Sequence, residues 1–111
     1  MNKCAWAISS TETVEFEIYD NNLGWNKAPG VYIFSYQAAS GVWLPLYVGQ
    51  TDDFSARLPS HEKLDRAIQL GATHIHARVV YQQPWRDQIE RYMIQQYQPP
   101  LNQQMKGGLL S

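Results

Sequence analysis

Gly30-Val31-Tyr32-Ile33-Phe34 and, one turn later, Leu46-Tyr47-Val48-Gly49-Gln50 are the stretches whose reading decides how this chain folds. Both are rich in β-branched and aromatic residues, and Ala38-Ala39-Ser40-Gly41 between them has turn chemistry, so residues 31–37 and 42–48 read as the two strands of a hairpin. Pro45 requires the second strand to lie at a sheet edge or to carry a bulge. Each strand sets a phenol beside a glycine. Phenols can do proton chemistry when their pKa is lowered, and glycines let a second backbone approach.

Working outward, Thr13 to Tyr19 alternates Val14, Phe16 and Ile18 against Glu15, Glu17 and Tyr19, the pattern of a half-buried strand. Downstream, Thr51-Asp52-Asp53 offers capping oxygens for a short turn through Arg57. Ser60 is positioned to cap a helix running to Leu70, with Gly71 as terminator. Residues 73–81 read as another strand, with Ile75, Ala77 and Val79 on one face and His74, His76 and Arg78 on a polar face. From Pro84 to Tyr97, the spacing of Trp85, Ile89, Met93 and Tyr97 predicts an amphipathic helix that Pro99-Pro100 ends. The tail from Gln103 carries little that could anchor it and is expected to fray.

The chain has 111 residues, 44% of them hydrophobic, which suits one domain with one compact core. A net charge of −1 excludes an overall basic field drawing it to nucleic acid or anionic membrane. The single cysteine, Cys4, cannot form an internal disulfide and is expected to be an inert thiol. Neither a signal-peptide core nor a membrane span is recognisable, so a soluble, cytoplasmic protein is the expectation. Trp6, Trp25, Trp43 and Trp85 are read mainly as packing residues.

The order of elements around a Gly-Val-Tyr and Tyr-Val-Gly hairpin resembles the GIY-YIG nuclease family. Valine replaces isoleucine in both signatures, a small change of volume. Tyr47-Val48-Gly49-Gln50-Thr51 resembles the second signature with its polar continuation. Arg57 and His61 resemble the arginine and histidine of the following helix, Glu90 the metal-binding glutamate of the last helix, and Pro100-Leu101-Asn102 the closing segment with its asparagine. Either tyrosine motif alone is weak, but six polar positions in this order form a joint signal. The resemblance covers residues 29–103, leaving 1–28 as an N-terminal extension with one strand and 104–111 as a flexible tail. It implies an α+β fold with a small three-stranded antiparallel sheet flanked by helices, plus that extra strand.

The resemblance further implies a metal-dependent endonuclease that hydrolyses phosphodiester bonds of nucleic acid, DNA in the first instance. Tyr32 would be the base, its pKa brought down by nearby positive charge, with Tyr47 and His61 holding or relaying its proton. Arg57 would meet the phosphate oxygens, Glu90 would hold a partly hydrated Mg²⁺ or Mn²⁺, and Asn102 would orient its neighbours or the phosphate. Gly30 and Gly49 would admit the substrate backbone. Nucleic acid is then the expected partner, with a homodimer or a recruiting protein supplying further contacts and no membrane involved. A non-catalytic module of the same fold, binding nucleic acid or protein, is the alternative.

Local readings compete at each position. Glu90 and Arg86, like Asp87 and Arg91, have the spacing of exposed intrahelical ion pairs. The tyrosines could be ordinary strand aromatics. Pro59 between Arg57 and His61 predicts a break there, since the residue before a proline resists helical geometry.

Overall fold

The computed structural model describes residues 2–21 and 24–103, so residues 104–111, expected to form a flexible tail, lie outside the described residues. In chain order the elements are β1 (Lys3–Ala7), β2 (Thr13–Asp20), β3 (Gly30–Gln37), β4 (Trp43–Thr51), α1 (Phe54–Arg57), a 3₁₀ turn over Leu58–Ser60, α2 (Leu64–Gln69), β5 (His74–Val79), α3 (Gln83–Tyr97) and α4 (Pro100–Gln103). The fold is α+β, as expected, but its sheet has five strands rather than three, in the order β1-β2-β5-β3-β4. One of the two additional strands, β2, matches the expected N-terminal strand. The other, β1, is built from Lys-Cys-Ala-Trp-Ala, of which only Trp6 is a strong strand former. It forms because β2 offers it an edge, pairing Lys3 with Glu17 through to Ala7 with Thr13.

Every pairing is antiparallel. β3 lies next to the edge, between β5 and β4, and is buried on both faces from Gly30 to Ser35. That double burial explains its continuous apolar sequence, whereas β2 alternates because half of it faces water. The expected conflict at Pro45 is resolved in both ways at once. β4 is an edge strand, and Phe34 faces Tyr47 while Ser35 faces Pro45, so Leu46 is an extra, bulged residue. Gly41 closes the hairpin turn at φ +94°, a conformation that side-chain-bearing residues rarely adopt.

The sheet separates two apolar layers. Tyr32, Phe34, Leu46 and Ile75 pack with Phe54 of α1, Leu58, Ala67 of α2 and Leu101 of α4. On the opposite face Trp6, Phe16, Val31, Ile33 and Val48 pack with Ile89 and Met93 of α3. Trp85, expected in that helix's buried stripe, is instead 39% exposed, while its neighbour Arg86 takes the buried place in the first turn.

Two further expectations are corrected. The helix expected from Ser60 begins at Leu64, because Pro59 is accommodated in the 3₁₀ turn and His61 then turns extended (φ −76°, ψ 126°). His76 does not belong to a polar face. It is fully buried, its Nδ1 accepts the Trp6 indole N–H at 2.9 Å, and its ring lies 4.6 Å edge-on from Trp43. Burial lowers its pKa to about 4.

His61 is also lowered to about 4, chiefly by burial and then by the Arg57 charge, against an ordinary value of 6.5. Between these values the unfolded chain binds protons that the folded chain refuses, so stability rises with pH across that window. The histidines' contribution to stability should therefore be full above about pH 6.5 and decline as the pH falls towards 4. Urea midpoints measured at pH 7 and pH 5 check this, and equal midpoints would contradict it.

Candidate active site

Three rings meet on the face shared by β3 and β4. Tyr32 and Tyr47 approach to 6.4 Å between centroids, and His61 stands edge-on at 5.5 Å from Tyr32 and 5.1 Å from Tyr47. The strands deliver the phenols because Tyr32 faces Gly49 and Phe34 faces Tyr47 in the hairpin register. The break at Pro59 delivers the histidine. An unbroken helix would keep Arg57 and His61 on one face, but the 3₁₀ turn and extended residue send His61 inward, 95% buried, while Arg57 stays half-exposed.

Tyr32 Oη and His61 Nε2 lie 2.8 Å apart. Which atom donates follows from the other ring nitrogen: His61 Nδ1 accepts the backbone N–H of Lys63 at 3.0 Å, so a neutral imidazole carries its proton on Nε2. His61 therefore donates to the phenol oxygen. It cannot take the proton of Tyr32 in this tautomer, which differs from the expected relay, and it favours the phenolate by hydrogen bonding to it.

Burial opposes that effect and dominates. It raises the pKa of Tyr32 well above the usual phenol range, with Tyr47 adding to the rise, Arg57 countering it and Glu90 adding again. Tyr47 is raised as well, by burial first and by the Glu90 charge second. The expected lowering of Tyr32 is thus reversed in the resting protein. The two phenols nevertheless register both the Arg57 and the Glu90 charges, so the four side chains share one electrostatic environment.

Arg57 forms a bidentate pair with Glu62, at 2.8 and 3.0 Å. The pair pushes the Glu62 carboxyl down to about 2, and the guanidinium's hold on its proton is strengthened in turn. Arg57 thus already grips a planar anion, although one that is largely exposed to solvent.

Glu90 does not make the ion pair that its spacing suggested. Arg86 is 96% buried and turns away, donating Nε to Gln50 Oε1 at 3.0 Å and Nη1 to the carbonyls of Val80 and Tyr81 at 3.1 and 3.0 Å. Gln50 in turn donates to Asp87. Among the described residues the Glu90 carboxylate has no hydrogen-bond or ion-pair partner, and burial with the adjacent Asp87 raises its pKa. The sequence does not foretell this network, since nothing in a helical Arg-x-x-x-Glu spacing distinguishes a buried arginine from an exposed one.

Asn102 spends both ends of its amide on the backbone of Val48, accepting the N–H at 2.8 Å and donating to the carbonyl at 3.0 Å. It pins β4 between the two signature residues Tyr47 and Gly49. The glycines are likewise committed within the protein. A Cβ on Gly49 would lie 2.5 Å from Tyr32 Oη and 2.6 Å from its Cζ, and one on Gly30 would collide with the Arg78 carbonyl and lie 2.5 Å from Phe54 Cζ. The close approach at both positions is thus internal, which corrects the expectation that substrate backbone occupies it. Gly49→Ala should destabilise by about 1–3 kcal/mol through overpacking against Tyr32. Chemical denaturation measures this, and an unchanged midpoint would show that the ring moves aside freely.

No family model and no curated protein matches the sequence. Solved structures do. The GIY-YIG N-terminal endonuclease domain of UvrC from Thermotoga maritima, bound to its catalytic divalent cation magnesium, superposes with a TM-score of 0.54 at 29% identity, covering 68% of this chain and 83% of that one. A tyrosine-to-phenylalanine mutant of that domain gives a TM-score of 0.55 and an asparagine-to-alanine mutant 0.54, each at 29% identity over 68% of this chain and 82% of the other. Both mutants are bound to the catalytic divalent cation. The chain folds as a GIY-YIG domain, with a five-stranded sheet. Among its described residues no helix is long and apolar enough to cross a membrane.

Proposed function

We propose that the protein is a metal-dependent endonuclease that hydrolyses phosphodiester bonds of nucleic acid, DNA in the first instance. The observation that carries this reading is a half-buried carboxylate, Glu90, with no protein partner among the described residues, in the same electrostatic environment as two phenols, a donated imidazole N–H and an arginine fork. A carboxylate that is partly desolvated, lies beside Asp87 and has no paired cation is stabilised by an added positive charge.

A divalent cation fits that requirement. No group of three or more His, Cys, Asp or Glu residues converges among the described residues, but a hard ion that keeps most of its waters can be held by one carboxylate. Glu90 would hold it. When bound, such an ion supplies positive charge for the leaving oxygen.

The chain's own residues divide the remaining work. Tyr32, as phenolate, accepts a proton from the attacking water, and the His61 Nε2–H and the Arg57 charge stabilise that phenolate. Arg57 exchanges the Glu62 carboxylate for two phosphate oxygens, which present a similar fork-shaped acceptor. Tyr47, half-buried, is positioned to orient water or phosphate, and Asn102 holds the backbone on which Tyr47 stands.

Nicking of supercoiled plasmid at low salt tests the reading. Cleavage is expected with Mg²⁺ or Mn²⁺, none with chelator, and a fall as salt rises, because a chain of net charge −1 binds nucleic acid weakly and each phosphate contact it makes is weakened by salt. Folded protein that binds plasmid without nicking it would support the non-catalytic module instead. The closed Arg57–Glu62 pair is the observation that favours that second reading.

A further inference from the structure

The catalytic face of the sheet does not end at β3. Lys3, Glu17, Ala77, Tyr32 and Gly49 stand opposite one another in turn across all five strands, so they share one face. Glu17 is two strands from Tyr32, about 10 Å at the usual strand spacing. Over the β1–β2–β5 part of this face lies a cavity of ≈440 Å³, lined among others by Glu15, Glu17, Trp25 and Arg78, with Phe54 at its border. Phe54 links the cavity to the phenols: its ring is 5.6 Å from Trp25 on one side and 6.4 Å from Tyr32 on the other. Neither the phenols, His61, Arg57 nor Glu90 lines it.

The cavity's chemistry selects its occupant. Glu15 and Glu17 are balanced by Lys3 and Arg78, so the lining is close to neutral and does not favour a phosphate. Aromatic surface is supplied by Trp25 and Tyr19, which pack edge-on at 5.0 Å. Tyr19 donates its hydroxyl to Glu17 Oε1, which orients the carboxylate. Arg78 leaves the sheet on the opposite face, beside Val31, and donates Nη1 to the carbonyl of Glu15, a lining residue, at 2.9 Å, so its guanidinium stands at the cavity rim. An aromatic wall, a carboxylate acceptor and a guanidinium donor together match a nucleobase.

We infer that this cavity is a nucleobase site, taking an unpaired guanine from a nucleotide flanking the cleaved bond. Guanine offers two adjacent N–H donors on its Watson–Crick edge, suited to a carboxylate, and the adjacent acceptors O6 and N7, suited to an arginine fork. Thymine has a single ring N–H and no exocyclic amine, and it serves the pair less well. The source of the base in a nucleic acid rests on the nuclease reading, whereas the base recognition itself does not.

Free 2′-deoxyguanosine and thymidine separate the two, because a nucleoside carries no phosphate for Arg57 or a metal. Titration of the full chain without metal, followed by amide and indole NMR signals, is expected to shift Glu17, Trp25 and Arg78 saturably with deoxyguanosine. Thymidine should bind about tenfold more weakly, and Glu17→Gln and Arg78→Met should each weaken deoxyguanosine about tenfold. Binding of this kind by a protein that fails to nick plasmid would leave the base site standing and remove the nuclease reading. Unmoved cavity signals, equal response to both nucleosides, or variants that bind like wild type would overturn the base site even if nicking is robust.

Discussion

Glu90→Gln should abolish plasmid nicking, lowering the rate by about a thousandfold or more, while circular dichroism and NMR dispersion stay those of the wild type. The loss of one charged transition-state stabiliser commonly costs a hundred- to a thousandfold, and here the one carboxylate proposed to hold the cation is removed. The fold should survive because the carboxylate makes no protein hydrogen bond or ion pair among the described residues, and an amide of the same shape leaves nothing orphaned. Mn²⁺ binding followed by electron paramagnetic resonance should disappear in parallel. Normal nicking by this variant would sink the metal assignment whatever the wild type does.

The second large effect is expected at Tyr32. Loss of a general base costs about 10²–10⁴-fold, and Tyr32→Phe should fall in that range under single-turnover conditions. Burial raises this phenol's pKa, so its phenolate is a minor species at neutral pH. The sign then follows: the active form is the deprotonated one, and the wild-type rate should climb about tenfold per pH unit from pH 7 to 9. Tyr32→Phe should lose that slope, a signature that a purely structural role would not produce. The variant also leaves the buried His61 Nε2–H without its acceptor, which should lower stability by about 1–3 kcal/mol. A flat wild-type profile would point to a base other than this phenol.

Most of the hairpin was legible from local chemistry. The turn residues, the β-branched runs and the constraint at Pro45 act within a few residues of one another, and the structure resolves them as a tight turn, an edge strand and a bulge. β1 was not legible, because weak strand formers become a strand only where a partner edge exists, and no local property announces that edge. The same holds for His76. Its place in a strand was visible, but its burial depends on Trp6, 70 residues away.

At the candidate site the identities of the polar residues were visible, and their directions were not. Pro59 signals a break between Arg57 and His61 but not where the break sends the histidine. The break is what turns His61 inward towards Tyr32. The Arg86–Glu90 spacing suggested an ion pair, yet the helix's first turn lies close enough to the ends of β4 and β5 for Gln50 and two carbonyls to capture the guanidinium. Sequence spacing counts neighbours along a helix but not the acceptors that tertiary packing brings to it.

That capture has a thermodynamic consequence. With Arg86 engaged elsewhere, the folded protein holds Glu90 in surroundings that favour its protonated form, so ionising it at neutral pH works against folding. A cation that binds the native state and not the unfolded chain would relieve this penalty and shift the folding equilibrium by mass action. Metal supply would then govern how much of the chain is folded as well as how fast it acts, and a protein starved of cation would be at once less active and shorter-lived.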